Sequence, residues 1–477
     1  MSEVLGVKAF SFKKGQLHLF LIFETGLILI FLFLLYLGLP GLAIAVLIAP
    51  FQLLLWALLV NDIQRVLVAF MTFLPFSGVS FFPPAYDRYI FFTGTVFLLV
   101  FLKMTNYLGA EGLRPKTEEE RARSAGSHTP VISLKWVPFL LLGIWTVLST
   151  VNAIRHGWGR GFLLVMTAIT VEVLIIAYFL ATAPKAIEDV KRLLYLLVGM
   201  TVLVVILITL LSPSRDVIWG LGGRMIRLPL TEVNLNTVGF FVGPVAVLAL
   251  GMAEGESQKR ERFLLRVAVV FLVIMLVLTK SRGSWFGFGA AFLYLLIRAR
   301  SPWLLFLAVV LAIGITGLSI FRGVFLGRLE SVSAYDPSLF GRAILWNFAY
   351  NIGKANWLFG VGIENFRYVK HFYGFPLPLS RGLDFNSHNI YLEIFVDLGV
   401  VGLFAFIWLL AGAFIRYLKV KREWEGWGLS LGLSAALVAY CIHGLADCVL
   451  FMPGVFALLG VFIGLSIAIE RLAAKYT

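Results

Sequence analysis

Apolar residues run through this chain in long unbroken blocks separated by short polar or basic segments. Blocks of about 20 residues, the length a helix needs to cross a hydrocarbon core about 30 Å thick, recur near 18–37, 41–60, 134–151, 161–183, 190–211, 234–252, 263–279, 302–320, 398–417, 427–446 and 449–470. Shorter or proline-interrupted blocks lie near 64–82, 88–102 and 283–298. The pattern therefore predicts roughly 12 to 14 transmembrane helices. Period-two alternation is missing, which excludes a lipid-facing β-barrel, so the backbone has to satisfy its own polar groups within helices.

Composition strengthens this picture. Of the 477 residues 60% are hydrophobic and only 14% are charged, with 43 Phe and 12 Trp. No soluble globule could hide that much apolar surface, so the expected fold class is an all-α polytopic membrane protein. The first apolar block follows Lys8, Lys13 and Lys14 without a small-residue cleavage site and reads as a retained span. Cys441 and Cys448 fall on one predicted helix, about 10 Å apart along its axis. That is too far for a disulfide, and they read as packing residues.

The net charge of +14 raises the possibility of a nucleic-acid partner. Such binding needs a basic face interleaved with aromatics on a soluble domain, and the sequence offers none. The basic residues instead follow the positive-inside rule. Lys185, Lys191 and Arg192; Lys259, Arg260, Arg262 and Arg266; Arg298 and Arg300; Arg416, Lys419, Lys421 and Arg422; and Arg471 and Lys475 follow every second span and mark the cytoplasmic side. The charged segment 103–135 falls on that side as a linker.

Once that side is set, the other basic residues become informative. Arg155, Arg160, Arg215, Arg224, Arg227, Arg282, Arg322, Arg328, Arg342, Arg367, Lys370 and Arg381 land on the opposite face, and all but one are arginine. The cytoplasmic clusters mix Lys and Arg, whereas this face favours the planar fork that grips phosphate bidentately. An anionic ligand explains the choice; pairing with Asp216, Glu232, Glu330, Asp336, Glu364 or Asp384 explains any single arginine equally well.

Three segments on this face carry candidate chemistry. The loop 322–387 is too long to be a plain connection. Within it Asp336-Pro337 starts a helix, Ile344, Phe348 and Ile352 recur every fourth residue, and Arg342 and Trp346 lie one turn apart. The pattern predicts an amphipathic helix at the membrane surface, followed by a tight turn at "FGVGIENF". The second segment, "LTKSRGSWFGFG" at 278–289, places Arg282 at a span end, where an arginine faces a polar cavity or snorkels to the interface. The third, "FNSHNIYLEIFVDLGVVGLF" at 385–404, places His388 and Asn389 ahead of an apolar helix. Ser387 or Asn386 is the expected cap, and Glu393 and Asp397 share one helix face. An imidazole at this position is a natural base for a hydroxyl, although a hydrogen-bonded interfacial histidine fits the isolated motif as well.

Taken together and in this order, "TKSRGSWFGF", "FGRAILWNFAYNI", "NWLFGVGIENF" and "SHNIYLEIFVDLGVVGLF" resemble the O-antigen ligase and O-antigen polymerase (Wzy-like) superfamily of bacterial envelope glycosyltransferases. The resemblance covers roughly 230–465. It divides the chain into 1–230, N-terminal membrane helices with the linker 103–135, and 231–477, a catalytic membrane region with the periplasmic loop 322–387.

The resemblance implies a GT-C-like, metal-independent, inverting transferase without cofactor in the bacterial inner membrane, with both termini cytoplasmic and the active site periplasmic. Its partners would be an undecaprenyl-diphosphate-linked glycan donor, a lipid A-core or glycan acceptor, and membrane lipids. It assigns His388 as the catalytic base, Arg282 and Arg342 as the diphosphate clamp, and Asn389 as a residue orienting His388 or touching donor. Trp346, Glu364, His443, Asp447, Arg224 and Arg227 would support or line the cavity.

Two departures stand out. Glu364 occupies a position where the pattern is often small or polar. Trp346 stands where ligases commonly carry leucine, which leaves ligase, polymerase and protein O-oligosaccharyltransferase open. His443 and Asp447, one turn apart, read as cavity residues or as a hydrogen-bonded pair. A lipid-linked glycan transporter is the rival class, but it predicts internal repeats with broken helices in corresponding positions, and the two halves show no such similarity.

Overall fold

The computed structural model describes residues 63–78, a few positions within 95–103, and 134–158, 161–211, 235–317, 337–375, 386–448 and 452–474. The expected spans 18–37 and 41–60, nearly all of the linker 103–135, both flanks of the long loop, and Arg224 and Arg227 lie outside the described residues.

The described elements are helical, with no strand among them. They are α1 (Ile63–Gly78), α2 (Val137–Arg155), α3 (Gly161–Thr182), α4 (Ile187–Leu211), α5 (Leu235–Gly255), α6 (Lys259–Leu278), α7 (Arg282–Ala299), α8 (Pro302–Gly317), α9 (Pro337–Ala355), the single turn α10 (Phe366–Val369), α11 (Ile390–Leu418), α12 (Trp427–His443) and α13 (Pro453–Ala473). The chain forms two compact units, 1–70 with 84–132, and 71–83 with 133–477. Helices α2–α13 belong to the second.

Among the described residues six helices are long and apolar enough to cross a membrane: Leu134–Arg155, Leu163–Thr182, Ile187–Leu207, Asn236–Gly255, Ile390–Leu418 and Gly454–Ala473. The chain is an integral membrane protein. The described count is below that read from the apolar blocks, partly because several blocks lie outside the described residues. In addition, α6 opens in the charged run Lys259–Arg266, and α12 has only 17 residues.

Helix α5 is the centre of the second unit and packs against α6, α7 and α12. Its contact with α12 is backbone on backbone. A Cβ added at Gly251 would come within 2.4 Å of Gly432 Cα, and one at Gly255 within 2.4 Å of Gly428 Cα. Each helix therefore contributes two glycines four residues apart, the spacing that lets helices approach closely where lipid supplies no hydrophobic drive.

Helix α11 packs on α2, α9, α12 and α13, and it is broken at Gly399 (φ 68, ψ −169). The groups freed by the break find partners outside the helix, as buried backbone must. Asp397 O accepts from Gly362 N at 2.9 Å, Val396 O from Val361 N at 3.0 Å, and Val400 N donates to Trp357 O at 2.7 Å. From α2, Trp145 Nε1 donates to Leu398 O at 2.9 Å and Ser149 Oγ to Asp397 O at 2.8 Å. The turn that the sequence placed at "FGVGIENF" is thus laid against the break.

Helix α9 forms as its Asp-Pro start predicts, but its apolar face is turned inward. Leu345, Ala349 and Ile352 join Val361, Phe366, Val369, Phe375 and Val396 in one buried cluster, with Ile344 and Phe348 packed on it. The loop folds onto α11 with a core of its own, so the helical repeat expected to rest on a membrane surface is used within the protein.

Candidate active site

The start of α11 meets the turn after α12 at His388, and the start of α7 packs against the end of α12 at His443. His388 is the residue before the N-cap of α11 and has a left-handed backbone (φ 51), uncommon for a residue with a side chain. Its neighbours impose that conformation. Asn386 Oδ1 accepts from His388 N at 3.1 Å, and Asn386 Nδ2 donates to Cys448 O at 2.7 Å. Ser387 N donates to Glu393 Oε2 at 2.6 Å, and Ser387 Oγ donates to Asn389 O at 2.9 Å.

The cap of α11 is Asn389, neither Ser387 nor Asn386. Its Oδ1 accepts from Tyr391 N at 3.0 Å and Leu392 N at 3.1 Å, while its Nδ2 donates to Leu445 O at 3.1 Å. Ile390 N donates to Gly444 O at 2.8 Å, which fastens the segment to the α12 turn.

His388 Nδ1 lies 2.8 Å from Asp447 Oδ1, with the His388 side chain 23% exposed and that of Asp447 8%. A carboxylate accepting from Nδ1–H fixes the imidazole tautomer and puts the lone pair on Nε2. Burial alone would raise the Asp447 carboxyl. The His388 hydrogen bond, with the charge of Arg342, outweighs it and holds this carboxyl below its ordinary value. The field of Arg342 also reaches His443, so α9 brings this guanidinium to the same region.

His443 does not pair with Asp447, although one helical turn separates them. It is buried, stacked on Phe240 with centroids 4.0 Å apart. Its Nδ1 is 3.4 Å from Ser284 Oγ, and its Nε2 is buried without a hydrogen-bond partner. A Cβ at Gly283 would sit 2.6 Å from His443 Cδ2, so the Ser-Arg-Gly motif has glycine where α7 crosses this ring. Arg282, half-buried, opens α7 between Ser281 and Gly283. Trp346 is 37% exposed on α9.

Glu364 lies in a second polar cluster. Glu364, Glu393 and Asp397 are at most 1% exposed, with carboxylate oxygens within 4.8 Å of one another. Among the described residues this is the group with the spacing to hold a cation. Asp397 already accepts from Glu364 N at 2.5 Å and Phe366 N at 3.1 Å, and Arg367 and Lys370 act electrostatically on Glu364 and Glu393.

These features define an integral membrane protein whose polar centre is a histidine–carboxylate pair, facing arginine, where several helices end. Residues 267–407 match the family model described as O-antigen ligase, so this part of the chain is similar to that family. Two curated relatives, each named "Putative polysaccharide ligase", agree. The Rickettsia conorii protein is 26% identical over 217 residues, 42% of this chain and 49% of the relative. The Rickettsia felis protein is 27% identical over 207 residues, 40% of this chain and 47% of the relative. The chain thus spans about half the length of the curated relatives it matches.

Arg282, Arg342, Trp346, Glu364, His388 and Asn389 all lie within the family-matched stretch, whereas His443 and Asp447 follow it. The pairing of Asp447 with His388 spans 59 positions and has no local sequence signal. A buried acid in an otherwise apolar turn is the one hint of it.

Proposed function

We propose that the protein is a glycosyltransferase that moves a glycan from undecaprenyl diphosphate to an acceptor hydroxyl at the periplasmic face of the inner membrane, most simply as an O-antigen ligase acting on lipid A-core. The observation that carries this reading is the 2.8 Å contact between His388 Nδ1 and Asp447 Oδ1, in reach of the field of Arg342.

In this mechanism His388 Nε2 takes the acceptor proton as the acceptor oxygen attacks the anomeric carbon, and Asp447 stabilises the resulting imidazolium. The bond from anomeric carbon to phosphate oxygen breaks as the new one forms, inverting the centre. The electron pair leaves with the diphosphate, whose charge Arg282 and Arg342 offset. Trp346, in place of the leucine common in ligases, leaves open a second reading in which the acceptor is another lipid-linked glycan and the enzyme is a polymerase.

The test is reconstitution with a synthetic polyprenyl-diphosphate glycan and separate acceptors. Transfer to lipid A-core supports the ligase, chain lengthening alone the polymerase, and transfer to a protein side chain the oligosaccharyltransferase variant. Movement of the glycan lipid across the bilayer without bond formation would overturn the enzyme reading in favour of a transporter.

A further inference from the structure

The carboxylate cluster touches the segment that holds His388, and the mechanism above does not use it. Glu393 sits one turn inside α11, yet its Oε2 reaches back past the cap to accept from Ser387 N at 2.6 Å. Its other oxygen, Oε1, is buried without a hydrogen-bond partner, as are both oxygens of Glu364. Three buried carboxylates within 4.8 Å of one another cannot all be charged. Asp397 has both oxygens engaged by backbone N–H groups, so a proton is best held between Glu364 and Glu393. A neutral acid needs an acceptor for its O–H, and a lone carboxylate oxygen needs a donor; each supplies what the other lacks.

The surroundings agree with this placement of the proton. Burial first, and the charge of Glu393 second, push the Glu364 carboxyl up to about 8 against the opposing pull of Arg367. Besides Ser387, Lys370 from the loop and His388 act on Glu393. The Glu364 backbone is itself left-handed (φ 57), and its N–H is tied to Asp397. The loop turn is thus bonded to Asp397 and the His388 segment to Glu393, with the unpartnered oxygens of Glu364 and Glu393 between them.

We propose that Glu393 is a positioning residue for the base His388, fixing it through Ser387 N, and that Glu364 completes the device by donating its carboxyl O–H to Glu393. This rests on the reading of His388 as base. It adds that the loop after α9 governs the geometry of that base without touching substrate.

The test compares Glu393→Ala, Glu393→Gln, Glu364→Gln and His388→Ala in the full-length protein, with polyprenyl-diphosphate glycan as donor and amide hydrogen exchange of the 386–390 segment as a second readout. Loss of the Ser387 anchor lets the imidazole drift, and a displacement of about 1 Å costs about 100-fold in rate. Glu393→Ala is expected to lose roughly 10- to 100-fold in kcat with donor KM changed less than about 3-fold, together with faster exchange at 386–390. Glu393→Gln, which keeps an acceptor for Ser387 N, should recover most of both. Glu364→Gln, which keeps a donor, should be near wild type at neutral pH and should retain activity at alkaline pH where the wild type loses it.

Unchanged exchange at 386–390 in Glu393→Ala overturns the inference, as does a kcat per folded molecule equal to wild type when His388→Ala is inactive. Equal alkaline decline in wild type and Glu364→Gln overturns the role of Glu364. If His388→Ala keeps normal turnover, the base assignment fails, and the exchange data still decide whether Glu393 holds the segment.

Discussion

His388 and Asp447 are joined at 2.8 Å by a hydrogen bond that spans 59 positions and ties the N-terminus of α11 to the turn after α12. Asp447→Asn keeps the volume but offers Nδ1 either an amide donor or a weaker neutral acceptor, so the tautomer is no longer dictated. The expected result is a kcat lower by about 100-fold or more with little change in donor KM, measured under saturating acceptor.

Arg342 contributes charge to the same centre from a separate element. If it grips the diphosphate, Arg342→Lys keeps the charge but loses the fork, and should raise donor KM nearly as much as Arg342→Ala, by roughly 10-fold or more. Full activity in the lysine variant would mean that only the net positive field matters.

Gly399 supports the break with a backbone open essentially to glycine alone. A Cβ there would also meet Leu358 O at 2.2 Å. Gly399→Ala is expected to destabilise by about 2–4 kcal/mol, read as a lower thermal unfolding midpoint in detergent, with the clash and the dihedral strain acting together.

At the α5–α12 seam, Gly432→Val would force the backbones apart and displace His443, which rides on the same helix one end away. Loss of folded protein in size-exclusion chromatography is the expected outcome; a stable, active variant would show that the seam has room.

Glu364 also links stability to pH. Its carboxyl rises from the ordinary 4.5 to about 8 on folding, so the folded state holds a proton that the unfolded chain gives up. The stabilisation is complete below the ordinary value and is lost as pH rises through about 8. Thermal midpoints measured from pH 6 to 9 should fall in the wild type and fall less in Glu364→Gln.

Much of this architecture was legible because continuous apolar runs have one structural solution in lipid. The helices α2–α5 and α11–α13 begin and end within several residues of their blocks. What escaped was set by tertiary packing. Helical spacing put His443 beside Asp447, but Asp447 lies past the end of α12, where the turn redirects it to His388. Likewise the shared face of Glu393 and Asp397 was visible from their spacing, whereas Glu364, 33 positions from Asp397, arrives only because the loop docks on the break. The apolar face of α9 was correctly periodic but given the wrong neighbour, since periodicity names a buried face and not what buries it.

An unbroken α11 would behave as a rod, carrying every tilt of its membrane half to the imidazole at its tip. The interruption at Gly399, clamped by Trp145, Ser149 and the loop turn, uncouples the two halves mechanically. The tip takes its bearings from the protein's own loop, and the rate should therefore vary little when reconstituted bilayers are made thicker or thinner with lipids of different chain length.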